Sequence, residues 1–506
     1  MLKTIPWATD LQGIVAAHAD RIAVHDGTTD INFRHLAARA SQVAKILLER
    51  GLKPGEPVAS SLRNSIPAVW VSAGLRIAGA AEMALNASLT DAGRKYSIEL
   101  VGVKCAITTA AQAERFRALG CDVITLEEIS DAEENLDFPP VPADAWGRIG
   151  FTSGTTGAPK AIVTTHGARW LANILQRAHF HATPHPGSAI LLVTPFVHGA
   201  GILTQSFHDH GATAILLDGV DLEKIEILLA AQKVDYIFAP PTVLAKLVGA
   251  FTGRKFPGIR TVFTGTAPLL APLYHKGTEM FGPVIRVTYG KSEITNPITV
   301  LTPAQCEAYY AHPPEADGVC VGFPGTGVEI EIRDEAGQKL GAENIGEVHL
   351  RGRHMSIGHI DANGYQPLPP DGFHATGDLG RIDTEGKLHL VGRVADVMKS
   401  GGYKIHPDEI ERILAPTTTT VTIVSLPSEY WGEIIVAVAE GADASWESRA
   451  RAALAETARH KHPRAFITLA ELPRNHQGKI MRRLIREALL ADYTLTDGPY
   501  PKLERR

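Results

Sequence analysis

No stretch of this chain holds the eighteen or so uninterrupted apolar residues that a membrane helix requires. The N-terminal run MLKTIPWATDLQGIVAAHAD lacks a continuous apolar core, which predicts no secretory signal. Cysteine is scarce. There are four in 506 residues (Cys105, Cys121, Cys306, Cys320), none in a C-x-x-C pair and none with histidine at metal-ligand spacing. That excludes a disulfide framework and predicts a reduced, cytoplasmic protein with incidental thiols. The 21 histidines repeat no ligand spacing either, so no structural metal is assigned. A strong excess of one charge is also missing. A net charge of −5 over this length offers no basic field for a polyanion, so nucleic acid is not expected as a partner.

What is present is an ordinary globular composition, 44% apolar and 21% charged. The length suits about two to four domains. Through the first two thirds, short β-branched runs alternate with helical patterns. FRHLAARASQVAKILLERG puts Leu36, Ala40, Val43, Ile46 and Leu47 on one helical face and stops at Gly51. EPVASSL reads as a strand and PAVWVSAGLRIAGA as the next helix. CAITT, AILLVT, TAILLD, DYIFAP and IRTVFTG are further buried-strand candidates. Such alternation predicts an α/β fold with largely parallel sheets, whose ligands sit at the carboxyl ends of the strands. TSGTTG, TPFVHGAG, FTGTAP and TYGKSE all follow strand candidates. After about residue 320 the pattern becomes short alternating strands with glycine turns (GVEIEIRD, GEVHLRG, GKLHLVGR), which predicts a small β unit. A boundary falls near Arg393–Asp396, and another α/β alternation follows it.

Residues 151–160 read FTSGTTGAPK. This is not the G-x-x-x-x-G-K-[ST] loop that opens a helix. Gly154 and Gly157 allow close backbone approach, Ser153, Thr155 and Thr156 add hydroxyl donors, and Lys160 adds a mobile cation, all suited to a ligand rich in anionic oxygens. Alone, such a loop is usually a turn. In TGDLGRIDTEGKLHLVGR, Asp378 sits in a glycine-flanked turn and Arg393 at a strand end. Together they could hold the hydroxyls of a ribose, or simply belong to a hairpin. In YGKSE, Tyr289 offers a ring face for a base and Glu293 an oxygen ligand for Mg²⁺. The bland alternative is a core tyrosine beside a surface glutamate. In LPRNHQGKIMRR, Gly478 makes a turn that presents Lys479.

In this order, F-T-S-G-T-T-G-x-P-K, Y-G-x-S-E, T-G-D, G-R-x-x-D and P-R-x-x-x-G-K resemble the adenylate-forming superfamily. That group holds acyl- and aryl-CoA synthetases, peptide-synthetase adenylation domains and firefly luciferase. The resemblance spans nearly the whole chain. It implies a large N-terminal domain (1–394) of two parallel-sheet subdomains plus a small β-barrel, and a smaller mobile C-terminal α+β domain (395–506). It also implies ATP, Mg²⁺ and coenzyme A. By resemblance, the loop Thr152, Ser153, Gly154, Thr155, Thr156, Gly157 and Lys160 cradles the phosphates, and Thr156 and Glu293 neighbour Mg²⁺. Gly265, Thr266, Ala267, Thr288, Gly290 and Ser292 count among the cofactor-binding residues, Tyr289 packs on the adenine, and Asp378 and Arg393 hold the ribose. Lys479 bridges the carboxylate and the α-phosphate. The C-terminal domain then turns about Asp396, withdrawing Lys479 and bringing Lys399, Ser400, Gly401 and Gly402 to the adenylate for the thiol.

The segment TPFVHGAG resembles the P-x-x-H of CoA ligases, with His198 in place among the catalytic residues. It lacks the aspartate that pairs with an amino-acid ammonium in peptide-synthetase relatives, and no carrier-serine motif follows residue 490. Arginine directly before Y-G would point to a dicarboxylate, but Thr288 stands there. The candidate acid-site residues are His198, Gly199, Ala200, Gly201, Gly265, Thr288 and Asn296; the small ones, Gly199, Ala200, Gly201 and Gly265, imply a roomy pocket with no charged partner, which predicts an apolar monocarboxylate, aromatic, alicyclic or medium-chain. The expectation is an AMP-forming acyl-CoA ligase. An enzyme loading a separate acyl-carrier protein, or a non-catalytic nucleotide binder, is the alternative. Two positions depart from the family pattern: Ala161 follows the loop lysine, and Lys291 stands where an uncharged residue is commoner. Monomer and homodimer both stay open.

Overall fold

The computed structural model describes residues 2–130, 135–151, 159–295, 297–312, 318–474 and 480–506. The first amphipathic pattern is the helix Phe33–Glu49, capped by the Asn32 side chain, which accepts a bond from His35 N. Leu36, Ala40, Val43 and Leu47 are buried along its inner face. Gly51, at φ 82°, lets the chain turn away. The helix Ile66–Ala78 ends on Gly79, which also takes a left-handed conformation. Val43 leaves no room for a side chain at Gly74, so these two helices pack backbone to backbone there.

The chain forms two compact units. One comprises Met1–His312, Val321–Ile330 and Leu350–His374, the other Pro313–Cys320, Glu331–His349 and Ala375–Arg506. In the first unit, one sheet has eight strands. Trp146–Phe151, Ala81–Leu85, Pro57–Ser61, Cys105–Thr108 and Asp122–Thr125 run parallel, and Ala161–Thr165, Gly358–Asp361 and Gly364–Pro367 extend it antiparallel. A second sheet has Ile285–Val287, Thr261–Thr264, Tyr236–Phe238, Ala189–Leu192, Thr213–Leu216 and Ile22–His25 in parallel order, with Asp30–Asn32 antiparallel at its edge. Every strand candidate quoted from this region lies in one of these sheets. Parallel strands buried on both faces read as continuous apolar runs, which is why AILLVT and DYIFAP were recognisable.

The second unit is a mixed α/β body. Val421–Ser428 and Gly432–Glu440 form a long antiparallel pair, and the free edge of Gly432–Glu440 takes both Ala465–Leu469, in parallel, and the hairpin Met398–Ser400/Tyr403–Ile405 at Gly432. Apolar side chains of the helices Pro407–Leu414 and Trp446–Leu454 join its core, and Ile485 and Leu489 of Arg482–Asp492 join another cluster on the same sheet. The antiparallel pair of His374–Ile382 and Leu388–Arg393 matches the glycine-punctuated strands expected after residue 320.

All four cysteines are free thiols. Cys121, Cys306 and Cys320 are buried, and burial pushes the thiol of half-buried Cys105 up to about 11. Among the described residues no helix is long and apolar enough to cross a membrane.

Candidate active site

The loop that holds TSGTTG joins two antiparallel strands, with Ala161 opposite Phe151. In sequence, TSGTTG therefore falls between two paired strands, whereas the usual phosphate loop leads from a strand into a helix. Thr152, Ser153, Gly154, Thr155, Thr156 and Gly157 lie outside the described residues. At the loop's exit, Tyr96 donates from its hydroxyl to Pro159 O at 3.0 Å. Lys160 Nζ lies 3.3 Å from His359 Nε2, and His359 lies 3.4 Å from Asp361.

The strand Ala189–Leu192 runs into the segment Pro195–Gly201. Its turn is tied by Asn64, whose amide donates to Thr194 O and Leu217 O at 2.8 Å each and accepts from Phe196 N at 2.7 Å. Residues Phe196–Ala200 form a single wide turn in which His198 has non-helical dihedrals (φ −114°, ψ −137°). A backbone that departs from the helix here re-aims its side chains, a feature common at functional sites. Arg148 braces the segment by donating to Val197 O at 2.6 Å.

The glycines of the expected acid pocket are small for a local reason. A methyl group on Gly199 would come within 3.1 Å of the Phe238 ring, one on Gly201 within 2.6 Å of Phe196 O, and one on Gly265 within 2.5 Å of Thr288 O. At each of these positions the Cβ direction is already filled by protein. Thr266, just beyond the strand Thr261–Thr264, takes φ 70°, a strained conformation for a non-glycine residue. Ala267 follows it in the same turn.

Opposite lies the end of the strand Ile285–Val287. Thr288 donates from its hydroxyl to Thr299 O at 2.7 Å, and Tyr289 N donates to Thr299 Oγ1 at 3.1 Å. Tyr289 is buried, Gly290 half-buried and Ser292 exposed. Glu293 keeps its carboxylate 3.7 Å from His374 Nε2, and its carbonyl accepts from Ser356 N at 2.8 Å. Lys291 is half-buried beside it. Asn296 lies outside the described residues. Among the described residues no cluster of three metal-ligating side chains occurs. Mg²⁺, however, commonly binds through one or two carboxylates plus substrate phosphates, and Glu293 is a donor of that kind.

In the second unit, Asp378 and Arg393 are direct cross-strand neighbours. Arg393 donates from Nε to Asp378 Oδ1 at 3.1 Å. Asp378 N in turn donates to Thr376 Oγ1 at 3.0 Å, and Thr376 donates to Val348 O at 2.7 Å. A carboxylate and a guanidinium are thus held side by side, one able to accept from a diol and the other to donate to it. A short 3₁₀ turn, Val394–Asp396, follows. Arg482 reaches back to Asp396 and also pairs with Asp408 and with Glu411 at 2.8 Å. The hairpin beyond turns through Gly401 (φ 57°) and Gly402 (φ 84°). Lys399 N is held by Glu433 at 2.8 Å, Ser400 pairs opposite Gly432, and Gly401 N donates to Trp431 O at 2.9 Å. Lys479 lies outside the described residues, just before the helix Arg482–Asp492.

Sequence reasoning passed over Asn64, Arg148 and Arg482. Each acts through partners far away in the chain, so no local motif signals it. Only Arg148 leaves a hint, a cation inside the apolar strand WGRIGF.

A family model described as AMP-binding enzyme matches residues 11–359. The chain is similar to the 2-succinylbenzoate–CoA ligase of Geobacillus sp. (strain WCH70), 26% identical over 481 residues that cover 93% of this chain and 95% of the relative. Among solved structures it is similar to the ATP-bound RpMatB–BxBclM chimera B3, with TM-score 0.84, 25% identity, and 95% of this chain and 98% of that one covered. It also shares the fold of o-succinylbenzoate CoA synthetase (MenE) from Bacillus subtilis in complex with OSB-AMP, with TM-score 0.84, 24% identity, and 96% and 99% covered.

Proposed function

The chain belongs to the AMP-binding enzyme family, and from that membership we propose that it is an acid–thiol ligase acting on an aromatic carboxylic acid. A carboxylate oxygen of the acid attacks the α-phosphorus of ATP, the bond to the β-phosphate oxygen breaks, and pyrophosphate leaves. The deprotonated thiol of coenzyme A then attacks the acyl carbon, and AMP leaves. The observation that carries this reading is similarity to a CoA ligase along nearly its whole length, across both compact units.

In this reading Asp378 and Arg393 hold the ribose hydroxyls and Tyr289 packs on the adenine. Glu293, with Thr156, is the protein's share of the Mg²⁺ site; the ion, when bound, neutralises phosphate charge. The loop 152–160 binds the leaving phosphates, and Lys479 lies between the acid and the α-phosphate. Catalysis is then mostly positioning and charge stabilisation, because the attacking carboxylate is already ionised. Asp396 is the hinge about which the hairpin 399–402 takes over for the thiol step. His198 faces the reacting acid, and the backbone of 199–201 supports its apolar body.

The test is pyrophosphate release with and without coenzyme A, run against a panel of aromatic and alkanoic acids, with the thioester weighed by mass spectrometry. Pyrophosphate release with an aromatic acid, followed by a thioester of matching mass, is the expected outcome. Release without any thioester would shift the acceptor to a carrier protein. Absence of both would remove the ligase reading.

A further inference from the structure

Behind the segment Pro195–Gly201, within the first unit, lies a cavity whose wall is cationic. Arg148 from the strand Trp146–Phe151 and Arg169 from the helix His166–Ala178 both face it, together with Glu82, Val197, Gln205 and Thr295. Val197 and Thr295 place it against both parts of the candidate acid site: the segment that carries His198, and the residues after Tyr289–Glu293.

The charges do not balance. Arg169 pairs with Glu82 and donates to Gly147 O at 3.1 Å. Arg76 lies behind this pair, joined to it through Ser72, to which it donates at 3.1 Å. Arg148 spends one donor on Val197 O. Among the described residues no carboxylate makes a direct ion pair with Arg148 or with Arg76. The next acid, Asp209, is already engaged by Arg177 at 3.0 Å and Asn173 at 2.6 Å. Three guanidiniums therefore surround one carboxylate. Burial and the like charge of Arg169 push Arg76 down to about 9 and Arg148 down to about 10. A buried cation without a counter-charge is costly unless something anionic arrives to meet it.

We propose that this cavity receives a second anionic group of the acid, a carboxylate distal to the one activated, with Arg148 as the residue that reads it. The proposal rests on the ligase reading and narrows its substrate class to dicarboxylates with an apolar middle. It replaces the expectation of a pocket without charged partners, which was drawn from the small residues at 199–201 and 265, the missing aspartate of TPFVHGAG and Thr288. The reader of the distal group comes from a different strand than the Y-G motif, so its identity is invisible at Thr288. Guanidinium is suited to the task because its planar fork matches a carboxylate bidentately.

The experiment uses matched acids that differ by one carboxylate: 4-oxo-4-phenylbutanoate against the same acid with an ortho ring carboxylate (2-succinylbenzoate), and hexanoate against adipate. Calorimetric binding to the full chain needs no turnover. The expected result is that the dicarboxylate of at least one pair binds the wild type roughly ten- to a hundredfold tighter, the range of a charge-assisted hydrogen-bonded pair. Arg148→Met should bring that pair to near equality, and Arg148→Lys should keep part of the preference. Equal binding of both members of each pair by the wild type overturns the proposal without recourse to any variant. So does a preference that survives Arg148→Met in protein whose thermal melt shows it folded. Thioester formation is scored separately. Its absence with every acid counts against the ligase reading, while the binding ratios still decide the role of Arg148.

Discussion

At the scale of single residues, the pair Asp378–Arg393 gives the sharpest expectation. If the carboxylate accepts from both ribose hydroxyls, Asp378→Asn should raise the KM for ATP roughly tenfold to a hundredfold, the range for hydrogen bonds to a charged group. Wild type should discriminate against 2′- and 3′-deoxy-ATP, and the variant should do so far less. Equal discrimination by both would move the ribose elsewhere. Gly265 makes a different point. From sequence, a glycine beside a candidate pocket suggests space for substrate. Here a methyl group would meet the carbonyl of Thr288 at 2.5 Å, so the glycine serves the approach of two backbones. Gly265→Ala should cost roughly 1–3 kcal/mol of stability and lower kcat/KM alike for small and large acids. A loss graded by acid size would restore a pocket-lining role for this side.

At the scale of elements, the strands and helices of the first unit were legible because their patterns are local. The periodicity of 33–49 and the apolar runs of the parallel strands depend on no distant partner. The hairpin around the glycine-rich loop was not, because FTSGTTGAPK shows the loop but not the antiparallel pairing of Phe151 with Ala161. The order of motifs named the family, yet the side chains that brace them come from everywhere. Asn64 ties residues 194–196 and 217, and Arg482 ties a turn to a helix.

That last tie carries a prediction. Arg482 joins the 3₁₀ turn at Asp396 to the helix Pro407–Leu414 through three carboxylates, and they hold its guanidinium above its ordinary pKa despite burial. Burial pushes the Glu411 carboxyl up, against the pull of that same arginine. Arg482→Met would leave three half-buried carboxylates without their cation, a loss of about 2–3 kcal/mol for this unit, below the range for a fully buried pair, measurable by urea denaturation near neutral pH. The sign with pH follows from the raised carboxyl. Protonation relieves the repulsion, so the variant's deficit should shrink as pH falls towards 4. A deficit that is constant with pH would mean that Glu411 is not the group strained.

At the scale of the whole molecule, two buried histidines set an acid limit. Trp7 donates from its indole nitrogen to His166 Nδ1 at 3.0 Å, a bond that only a neutral ring can accept, while His208 Nε2 lies 2.9 Å from Ala23 O and its ring is kept neutral by burial against the pull of that carbonyl. Burial and Arg169 lower His166, and burial lowers His208, each from 6.5 to about 4. The unfolded chain therefore binds more protons between pH 6.5 and 4. The stability due to these rings is complete above about 6.5 and drains away as pH falls to 4, by about 3 kcal/mol for each ring. His208→Gln should flatten the dependence of Tm on pH across that window by close to one proton. An unchanged slope would assign the acid sensitivity to other groups.

The sequestered thiols make the chain a silent background for chemistry at sulfur. Three of the four cysteines are buried, and the fourth keeps its proton well past neutral pH. A thiolate-seeking reagent should therefore find almost no target in the folded protein. A chromogenic disulfide added to the assay should register free coenzyme A against a flat baseline, with activity undiminished after minutes of exposure. The same silence means that one cysteine introduced on the surface of each unit would take a fluorophore pair without removing any native cysteine. Energy transfer between the two dyes, followed first with ATP and acid and then with coenzyme A, would report any change in their separation between the two half-reactions.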